Sequence, residues 1–258
     1  MGNSFGISIK GGAARGLGAI AFIRLLQEEN LVPEVIAGSS SGGIIAAMYS
    51  LGFSWERMID AINDIRLISF SRILRFFRKG YLLEKNEFKE ILLKYSDDIS
   101  IQELKPNLIL FASDIKTKKR YYIESGSLIE ALYASCAYPF ILPKATFANK
   151  TLIDGDLTNS YSAQYIRAKG VDKVIGIGYK MSNPKLSFSR GLNKAMDMYR
   201  FLMSQIEEMQ DSIDPVDYEF RYDASDYNYL DFKNIELLVE RAYSTLCRHK
   251  KEILRLLK

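Results

Sequence analysis

The sequence predicts an α/β fold in which a wound, mostly parallel β-sheet carries helices on both faces. Short apolar segments of strand length alternate along the chain with segments of helical periodicity, and this alternation is typical of parallel sheets covered on both sides. The composition is that of an ordinary globular chain, since 48% of the 258 residues are hydrophobic and 26% are charged.

Strand and helix signals alternate through the first quarter of the chain. In order, they predict a strand at 5–10, a glycine-rich loop at 11–16, a helix to about residue 30, a strand at 35–37, a helix at 44–50 and a helix at about 55–67. Gly52 ends the helix at 44–50, as glycine commonly does. Ser54 is placed to cap the helix that follows.

The alternation continues through the middle of the chain. It predicts strands at 107–113, 119–124, 151–153 and 174–178, a helix begun by the capping-box pattern of Ser127 and Glu130, and a helix at 162–169. After about residue 190 the periodicity predicts helices alone. We therefore expect a core at 1–180 with a helical cap insertion at about 54–100, and a helical C-terminal extension at 181–258 packed on that core.

The composition argues against several classes of function. Two cysteines, Cys136 and Cys247, are too few for a disulfide framework, and the single histidine, His249, argues against a histidine-built metal site. The net charge of +4 does not indicate a nucleic-acid partner. No apolar run approaches the ~20 residues that span a bilayer. We expect a cytoplasmic location, and no motif calls for a metal or an organic cofactor.

The sharpest local motif is Gly38-Ser39-Ser40-Ser41-Gly42, which fits G-x-S-x-G only with Ser40 at its centre. A predicted strand enters this motif and a predicted helix leaves it, as in the nucleophile elbow of serine hydrolases. Such a turn lifts the serine hydroxyl clear of the sheet at the positive end of a helix. The alternative is a glycine- and serine-rich turn with no chemistry.

The glycine-rich loop at 11–16 directly follows the first predicted strand. Small residues there allow close approach of the backbone and leave N–H groups available for an anion or an oxyanion. The stretch at 16–21 also fits the dinucleotide fingerprint G-x-G-x-x-A, but it begins about five residues past the strand and lacks the acidic residue expected after the second strand. Nucleotide binding is therefore the weaker interpretation.

A carboxylate is the best candidate for the base of such a serine. Asp154 follows a predicted strand and precedes Gly155, which places it at the sheet edge where ligands collect, although a simple Asp-Gly turn would have the same sequence. His249 falls on an apolar stripe of the C-terminal helix, so we expect it to pack against the core. A serine–aspartate dyad then remains.

Together these motifs resemble the patatin-like phospholipases. The loop at 11–16, the motif at 38–42 and Asp154-Gly155 occur in the order and spacing of that family, and the stretches at 112–114 and 134–139 are similar to two softer family motifs. The resemblance covers about residues 5–180. It implies a wound α/β lipid acyl hydrolase that acts on phospholipids or lysophospholipids without a cofactor.

The resemblance also implies residue roles. It assigns Ser40 as nucleophile, Asp154 as its partner, the backbone of Gly11, Gly12, Ala13 and Ala14 as oxyanion hole, and Arg15, Gly38, Gly42 and Gly155 as supporting residues. Two positions depart from the family pattern. Ala13 replaces a glycine and would be strained at positive φ, and Asp156 stands where glycine or alanine is usual and adds a negative charge near the dyad.

A basic, aromatic segment at 66–80 follows the predicted nucleophile helix. Its cations are Arg66, Arg72, Arg75, Arg78 and Lys79, and no acidic residue lies among them. Such a segment is typical of an interfacial helix on an anionic membrane, but a cap helix packed on the core has the same pattern. Two further functions stay open: an acyltransferase that uses the same serine, and a lipid-binding protein with little or no catalysis.

Overall fold

The computed structural model describes residues 4–70, 81–139, 141–158, 161–180, 209, 212–227, 232 and 234–258, with only the main chain at 65–70. Its strands are β1 (Phe5–Ile9), β2 (Val35–Gly38), β3 (Asn107–Asp114), β4 (Lys119–Ile123), β5 (Ala145–Phe147), β6 (Lys150–Asp154), β7 (Lys173–Lys180) and β8 (Tyr218–Asp223). Its α-helices are α1 (Ile20–Glu28), α2 (Ser40–Ser50), α3 (Trp55–Phe70), α4 (Lys85–Leu93), α5 (Leu128–Ser135), α6 (Ala163–Arg167) and α7 (Ile235–Leu257). Short 3-10 helices lie at Ala13–Ala19, Ile101–Glu103 and Gly155–Leu157.

All of these strands join one sheet. Its order is β5-β6-β3-β2-β1-β7-β8, and β4 pairs with β3 outside this path. The strands β3, β2, β1, β7 and β8 run parallel, whereas β4, β5 and β6 make the antiparallel pairs at one side. The predicted mostly parallel sheet is therefore confirmed.

Side chains of β2 show how the sheet is covered on both faces. Ile36 belongs to the large apolar core that includes Phe22 of α1. Its neighbours Val35 and Ala37 belong to a second core with Ile166 of α6. Because successive side chains of a strand point to opposite faces, helices cover both faces of the sheet, as predicted.

The sheet differs from the prediction at its C-terminal edge. The expectation that strands stop after about residue 190 is wrong, because β8 pairs in parallel with β7 through register partners such as Ile177 and Phe220. Phe220 and Tyr222 are buried, but they alternate with Glu219 and Arg221, so this edge strand lacks the apolar run that marks the central strands. The domain boundary at residue 180 stays a prediction.

The helix bounds also differ from the prediction near the N-terminus. The glycine-rich loop continues into a 3-10 helix before α1 begins at Ile20, and α2 begins at Ser40 rather than at residue 44. At the other end of the chain, α7 buries one apolar stripe and contacts α1 and the first 3-10 helix. The C-terminal helix thus packs on the core.

The topology of β3 places two chain segments end to end. Leu110 is in register with Gly38 of β2 and also with Ile123 of β4, so β2 and β4 lie on opposite edges of β3. Two residues further, Ala112 is in register with Asp154 of β6, and this part of β3 pairs with β4 as well. It follows that β2 and β6 share one edge of β3, and that the end of β6 faces the end of β2.

Candidate active site

Ser40 lies at the sharp turn between β2 and α2. Its φ is +52°, in the left-handed region that non-glycine residues seldom adopt, whereas the preceding Ser39 is extended with φ −128°. Strain of this kind collects at functional sites. The strand, turn and helix have the arrangement of a nucleophile elbow, with Ser40 at its strained position.

The two glycines of the G-x-S-x-G motif are required by close backbone contacts. A Cβ on Gly42 would lie 2.4 Å from the main-chain oxygen of Ile9, and one on Gly38 would lie 2.7 Å from the main-chain carbon of Gly42. Neither contact is possible for another residue type. The elbow can therefore pack directly against the end of β1, from which the glycine-rich loop departs.

Ser135 at the end of α5 holds the elbow from the other side. Its Oγ accepts a hydrogen bond from the main-chain N–H of Ser40 at 3.2 Å and donates one to the carbonyl oxygen of Phe111 at 2.8 Å. Ser135 is fully buried. The stretch around it resembles a family motif, but no local signal indicated a role for Ser135 itself, because its partner in the elbow is 95 positions away.

The glycine-rich loop presents main-chain donors beside the elbow. Gly12 has a φ of +130°, and Ala13 has a φ of +49°, which is the strained conformation anticipated at that position. Neither the Gly12 nor the Ala13 main-chain N–H donates a hydrogen bond to any part of the chain that the structure describes. Unpaired donors on a strained loop are suited to a developing negative charge.

The rest of the loop is anchored inside the protein. Ala14 is fully buried at the start of the 3-10 helix. The carbonyl oxygen of Arg15 accepts a 2.7 Å hydrogen bond from the hydroxyl of Tyr222, and the Arg15 Nε donates to the carbonyl oxygen of Tyr227. The predicted supporting residue Arg15 therefore ties the loop to β8 and the segment after it.

Asp154 is completely buried at the end of β6. Its main-chain oxygen accepts a 2.7 Å hydrogen bond from the hydroxyl of Ser113, and its Oδ1 accepts a 3.0 Å hydrogen bond from the main-chain N–H of Asp156. Its Oδ2 is buried and has no hydrogen-bond partner in the part of the chain that the structure describes. The facing ends of β2 and β6 bring this carboxyl toward Ser40, whose hydroxyl lowers the pKa of Asp154.

Burial and a neighbouring carboxylate dominate the electrostatics of Asp154. Burial raises the pKa of Asp154 well above its ordinary value, and the negative charge of Asp156 raises it further. The Asp156 N–H, the Ser40 hydroxyl and the Arg120 guanidinium act in the opposite direction. A buried carboxyl with a raised pKa is more basic than usual, which suits it to accept a proton.

Asp156 reaches from the turn after β6 to the glycine-rich loop. Its Oδ1 accepts a 3.3 Å hydrogen bond from the main-chain N–H of Gly11 and another from the hydroxyl of Ser39. A Cβ on Gly11 would lie 1.9 Å from the Asp156 Oδ2 and 2.8 Å from the Ser40 Cβ. The Asp156 carboxylate therefore lies against Gly11 on the side that faces Ser40.

Gly155 completes the turn between the two aspartates. A Cβ on Gly155 would lie 2.4 Å from the main-chain oxygen of Phe111, so the turn passes directly over β3. This contact explains the glycine that the sequence analysis placed among the supporting residues. It also fixes the position of Asp154, since the two residues are adjacent in the chain.

His249 does not pack against the core, and that expectation is wrong. The residue is exposed on α7, where its Nδ1 lies 3.6 Å from Glu252 of the same helix. Leu246 and Ile253 belong to the buried stripe of α7. They are seven positions apart, which is close to two helical turns, so they lie on nearly the same side of the helix. A residue three positions after Leu246 is rotated by about 60° from that direction. Within the described part of the chain, His249 therefore contacts its own helix and not the elbow.

Two further predictions concern parts of the surface. No helix in the described parts of the chain is both long enough and apolar enough to cross a bilayer, and no group of three or more metal-ligating side chains occurs there.

The predicted membrane segment is mostly outside the described residues: Arg72, Arg75, Arg78 and Lys79 are not described, and Arg66 is described only as main chain of α3.

A serine hydroxyl on a strained turn, a buried carboxyl and unpaired main-chain donors are together what acyl-transfer chemistry requires. Comparisons with known proteins bear on the family and the fold. An uncharacterised NTE family protein of Mycobacterium tuberculosis is 25% identical over 179 residues, which are 67% of this chain and 30% of that relative. The lysophospholipase nte1 of Aspergillus niger is 22% identical over 181 residues, which are 68% of this chain and 12% of that relative. The chain thus spans less than a third of these relatives.

A solved structure shows the same fold. VipD from Legionella pneumophila superposes with a TM-score of 0.55 and 12% sequence identity, covering 96% of this chain and 66% of that one. The family model described as patatin-like phospholipase matches residues 7–165, which are more than half of the chain. This protein belongs to the patatin-like phospholipase family.

Proposed function

We propose that this chain is a lipid acyl hydrolase that cleaves fatty-acyl esters of phospholipids or lysophospholipids through an acyl-serine intermediate. The observation that carries the proposal is the end-to-end arrangement of β2 and β6 on β3, which brings the buried carboxyl of Asp154 beside the strained Ser40. Family membership supports the same chemistry, and the names of the Aspergillus relatives support lysophospholipids as a substrate class.

In the proposed mechanism, Asp154 accepts the proton of the Ser40 hydroxyl while Oγ attacks the ester carbonyl carbon. The C–O bond to the leaving alcohol then breaks, and Asp154 returns the proton to the alkoxide. Water attacks the acyl-serine with Asp154 again as base, which releases the fatty acid and restores Ser40. The free Oδ2 of Asp154 is the acceptor in both steps, because Oδ1 is bound by the Asp156 N–H.

The main-chain donors of the glycine-rich loop stabilise the tetrahedral oxyanion in this proposal. The loop from Gly11 to Ala14 was the expected oxyanion hole, and the unpaired N–H groups of Gly12 and Ala13 are its best donors. The Gly11 N–H is bound to Asp156 and becomes available only if that carboxylate moves. Loss of one such donor typically costs ~3 kcal/mol of transition-state stabilisation.

We further propose that the chain works at a membrane surface, with the basic segment that contains Arg66, Arg72, Arg75, Arg78 and Lys79 in contact with anionic lipid. Aromatic and basic residues without acidic neighbours support this contact. Along the chain, the segment begins in the last turns of α3 and continues beyond it, in the insertion that follows the elbow helix α2. The phospholipid or lysophospholipid is then drawn from the surface to the elbow.

The test of the proposed function is fatty-acid release from a panel of phospholipids, lysophospholipids and short soluble esters, with Ser40→Ala as control. We expect release from at least one lipid class by the native chain and none by the variant. Parallel reactions with an added alcohol acceptor measure transacylation. Equal release by both proteins, or no release from any substrate, would contradict the proposal.

A further inference from the structure

Arg120 on β4 reaches the site, although no sequence motif pointed to it. Its Nη1 donates a 2.7 Å hydrogen bond to the hydroxyl of Ser162, and its Nη2 donates a 2.9 Å hydrogen bond to the carbonyl oxygen of Gly155. The guanidinium also lies over the ring of Phe111, with Cζ 4.5 Å from the ring centroid. One side chain thus holds the turn that directly follows Asp154.

The two hydrogen bonds of Arg120 span the segment that carries Asp156. Gly155 begins this segment, and Ser162 ends it at the N-terminus of α6 with a strained φ of +54°. The planar fork of arginine can bind both groups at once, whereas the ammonium group of lysine offers a single point of charge. Arg120 therefore fixes both ends of the segment relative to β4.

Arg120 is also the cation that acts on the two neighbouring aspartates. Its charge interacts favourably with Asp154 and Asp156, and burial lowers the pKa of the guanidinium itself to about 10, so it remains charged at neutral pH. A nearby cation lowers the cost of negative charge in such a site, because an uncompensated charge away from water is costly. The hydrogen bonds to Gly155 and Ser162 hold the guanidinium where it can supply that charge.

Other polar groups face the same place from the surrounding elements. The elbow contributes the Ser40 hydroxyl, the end of α5 contributes the buried thiol of Cys136, β4 contributes Tyr122 beside Arg120, and Asp214 adds a further negative charge near the guanidinium. Burial raises the pKa of the Cys136 thiol, so it stays uncharged at neutral pH. Among the groups that act on Asp154, Arg120 supplies the positive charge.

We propose that Arg120 is a positioning residue that holds the turn after Asp154 against β4, so that the Asp154 carboxyl is directed at Ser40 with a positive charge beside it. The proposal rests on the function proposed above, in which Asp154 is the base for Ser40. Without the cation, only the Asp156 N–H and the Ser40 hydroxyl would oppose the effects of burial and of the Asp156 charge, and the carboxyl of Asp154 would hold its proton to higher pH. Without the two hydrogen bonds of the guanidinium, the turn that begins at Gly155 would lose its link to β4.

The first test is the pH dependence of kcat/KM for a short soluble ester with Arg120→Gln and Arg120→Lys. We expect the acid limb to move to higher pH by about one unit in Arg120→Gln, which is the usual effect of a nearby opposite charge. Arg120→Lys keeps the charge, so its acid limb should stay near that of the native chain while kcat falls. Arg167→Gln is the matched control, since Arg167 pairs with Asp217 at the surface end of α6.

A double variant separates the electrostatic effect from a loss of structure. In Arg120→Gln with Asp156→Asn, one positive and one negative charge are removed together, so the acid limb should return toward that of the native chain. Damage to the fold would not be rescued in this way. An acid limb that is unmoved in Arg120→Gln, or one that stays displaced in the double variant, would overturn the proposal.

The second test does not depend on turnover. The Asp154 carboxyl can be titrated by ¹³C NMR in protein labelled at aspartate, with its signal assigned by Asp154→Asn. We expect its midpoint to lie about one unit higher in Arg120→Gln than in the native chain. If the native chain hydrolyses no ester, the proposed function fails while this titration still decides the electrostatic effect of Arg120, and equal midpoints would refute it. If Arg120→Gln does not fold, Arg120→Lys and the double variant are titrated instead.

Discussion

The Asp156 carboxylate accepts a 3.3 Å hydrogen bond from the main-chain N–H of Gly11, and its second oxygen lies against the Gly11 Cα. The same carboxylate faces Ser40, on the side from which an ester carbonyl would reach the glycine-rich loop under the proposed mechanism. It therefore competes with the substrate oxygen for space and for one main-chain donor. Its charge also opposes ionisation of Asp154.

Removal of this carboxylate should make the site more active. We expect Asp156→Gly to raise kcat/KM for a short soluble ester several-fold at neutral pH, because the Gly11 N–H becomes available and a negative charge leaves the site. The acid limb of the pH profile should also move to lower pH, since the pKa of Asp154 falls when its anionic neighbour is removed. Steady-state kinetics from pH 4 to 9 measure both effects.

Asp156→Asn separates charge from volume, because the amide keeps the size and an acceptor oxygen but removes the charge. It should move the acid limb as Asp156→Gly does but give less of the gain in rate. If both variants lose activity, Asp156 holds the loop in its active shape instead of competing with the substrate.

The elbow and Asp154 could be predicted because each belongs to a short motif at the end of a strand. Local sequence contains the strand, the strained turn and the helix that set the conformation of Ser40. The sequence could not indicate Ser135 or Arg120, whose contacts join residues 95 and 35 positions apart in the chain. Ser135 reaches the site because α5 packs on β3, and Arg120 reaches it because β4 pairs with β3. The strand β8 was missed for a different reason: it lies at the edge of the sheet, and its alternate polar residues break the apolar run that marks the central strands.

Ser40 should be distinguishable from its two serine neighbours. We expect Ser40→Ala to abolish ester hydrolysis without loss of the fold, whereas Ser39→Ala and Ser41→Ala should remain active. Ser39 Oγ binds Asp156, and Ser41 Oγ is buried without a hydrogen-bond partner in the described structure, so neither has the strained position of the elbow. Mass spectrometry after treatment with a fluorophosphonate should find the adduct on Ser40. An adduct on either neighbour would refute the assignment.

Ser135→Ala should lower kcat more than it changes KM. The variant leaves the Ser40 N–H and the Phe111 carbonyl without their shared partner, and buried unpaired groups cost about 1–3 kcal/mol of stability. It also removes one of the contacts that fix the elbow. Ser50→Ala is the matched control, because Ser50 is also buried and donates to the carbonyl of Pro106, but lies at the opposite end of α2 from Ser40. Both should lower the melting temperature, but only Ser135→Ala should impair turnover.

The contact of the basic segment at 66–80 with lipid can be tested by removing its charge. Replacement of four of its five cations by Gln should weaken binding to anionic vesicles, at ~1 kcal/mol per charge near the surface. The four are Arg66, Arg72, Arg75 and Arg78. Hydrolysis of a short soluble ester should barely change, since this reaction needs no membrane. Vesicle sedimentation and the soluble-ester assay measure the two effects.

The control for this experiment removes the same number of charges elsewhere. The four exposed lysines Lys94, Lys116, Lys118 and Lys119 are replaced by Gln, which gives the same net charge. If vesicle binding weakens equally in both variants, only the total charge matters and the segment has no special contact with lipid.

Asp154→Asn should separate catalysis from stability, with His249→Ala as its comparison. Asn keeps the shape of Asp154 but cannot accept the Ser40 proton. General-base catalysis is worth ~10²–10⁴-fold in rate, so we expect the rate of Asp154→Asn to fall by that order.

The two variants should also differ in stability. The folded-state pKa of Asp154 is raised above the unfolded value of about 4, so the native state binds the extra proton between these two values, and stability falls as pH rises through that window. Asn has no charge to bury, so Asp154→Asn should melt at a higher temperature than the native chain above that window, while the two should converge at lower pH. His249 is exposed on α7, so His249→Ala should leave both rate and melting temperature nearly unchanged. If folded His249→Ala loses as much activity as Asp154→Asn, or if Asp154→Asn keeps its activity, the serine–aspartate pair is not the catalytic unit.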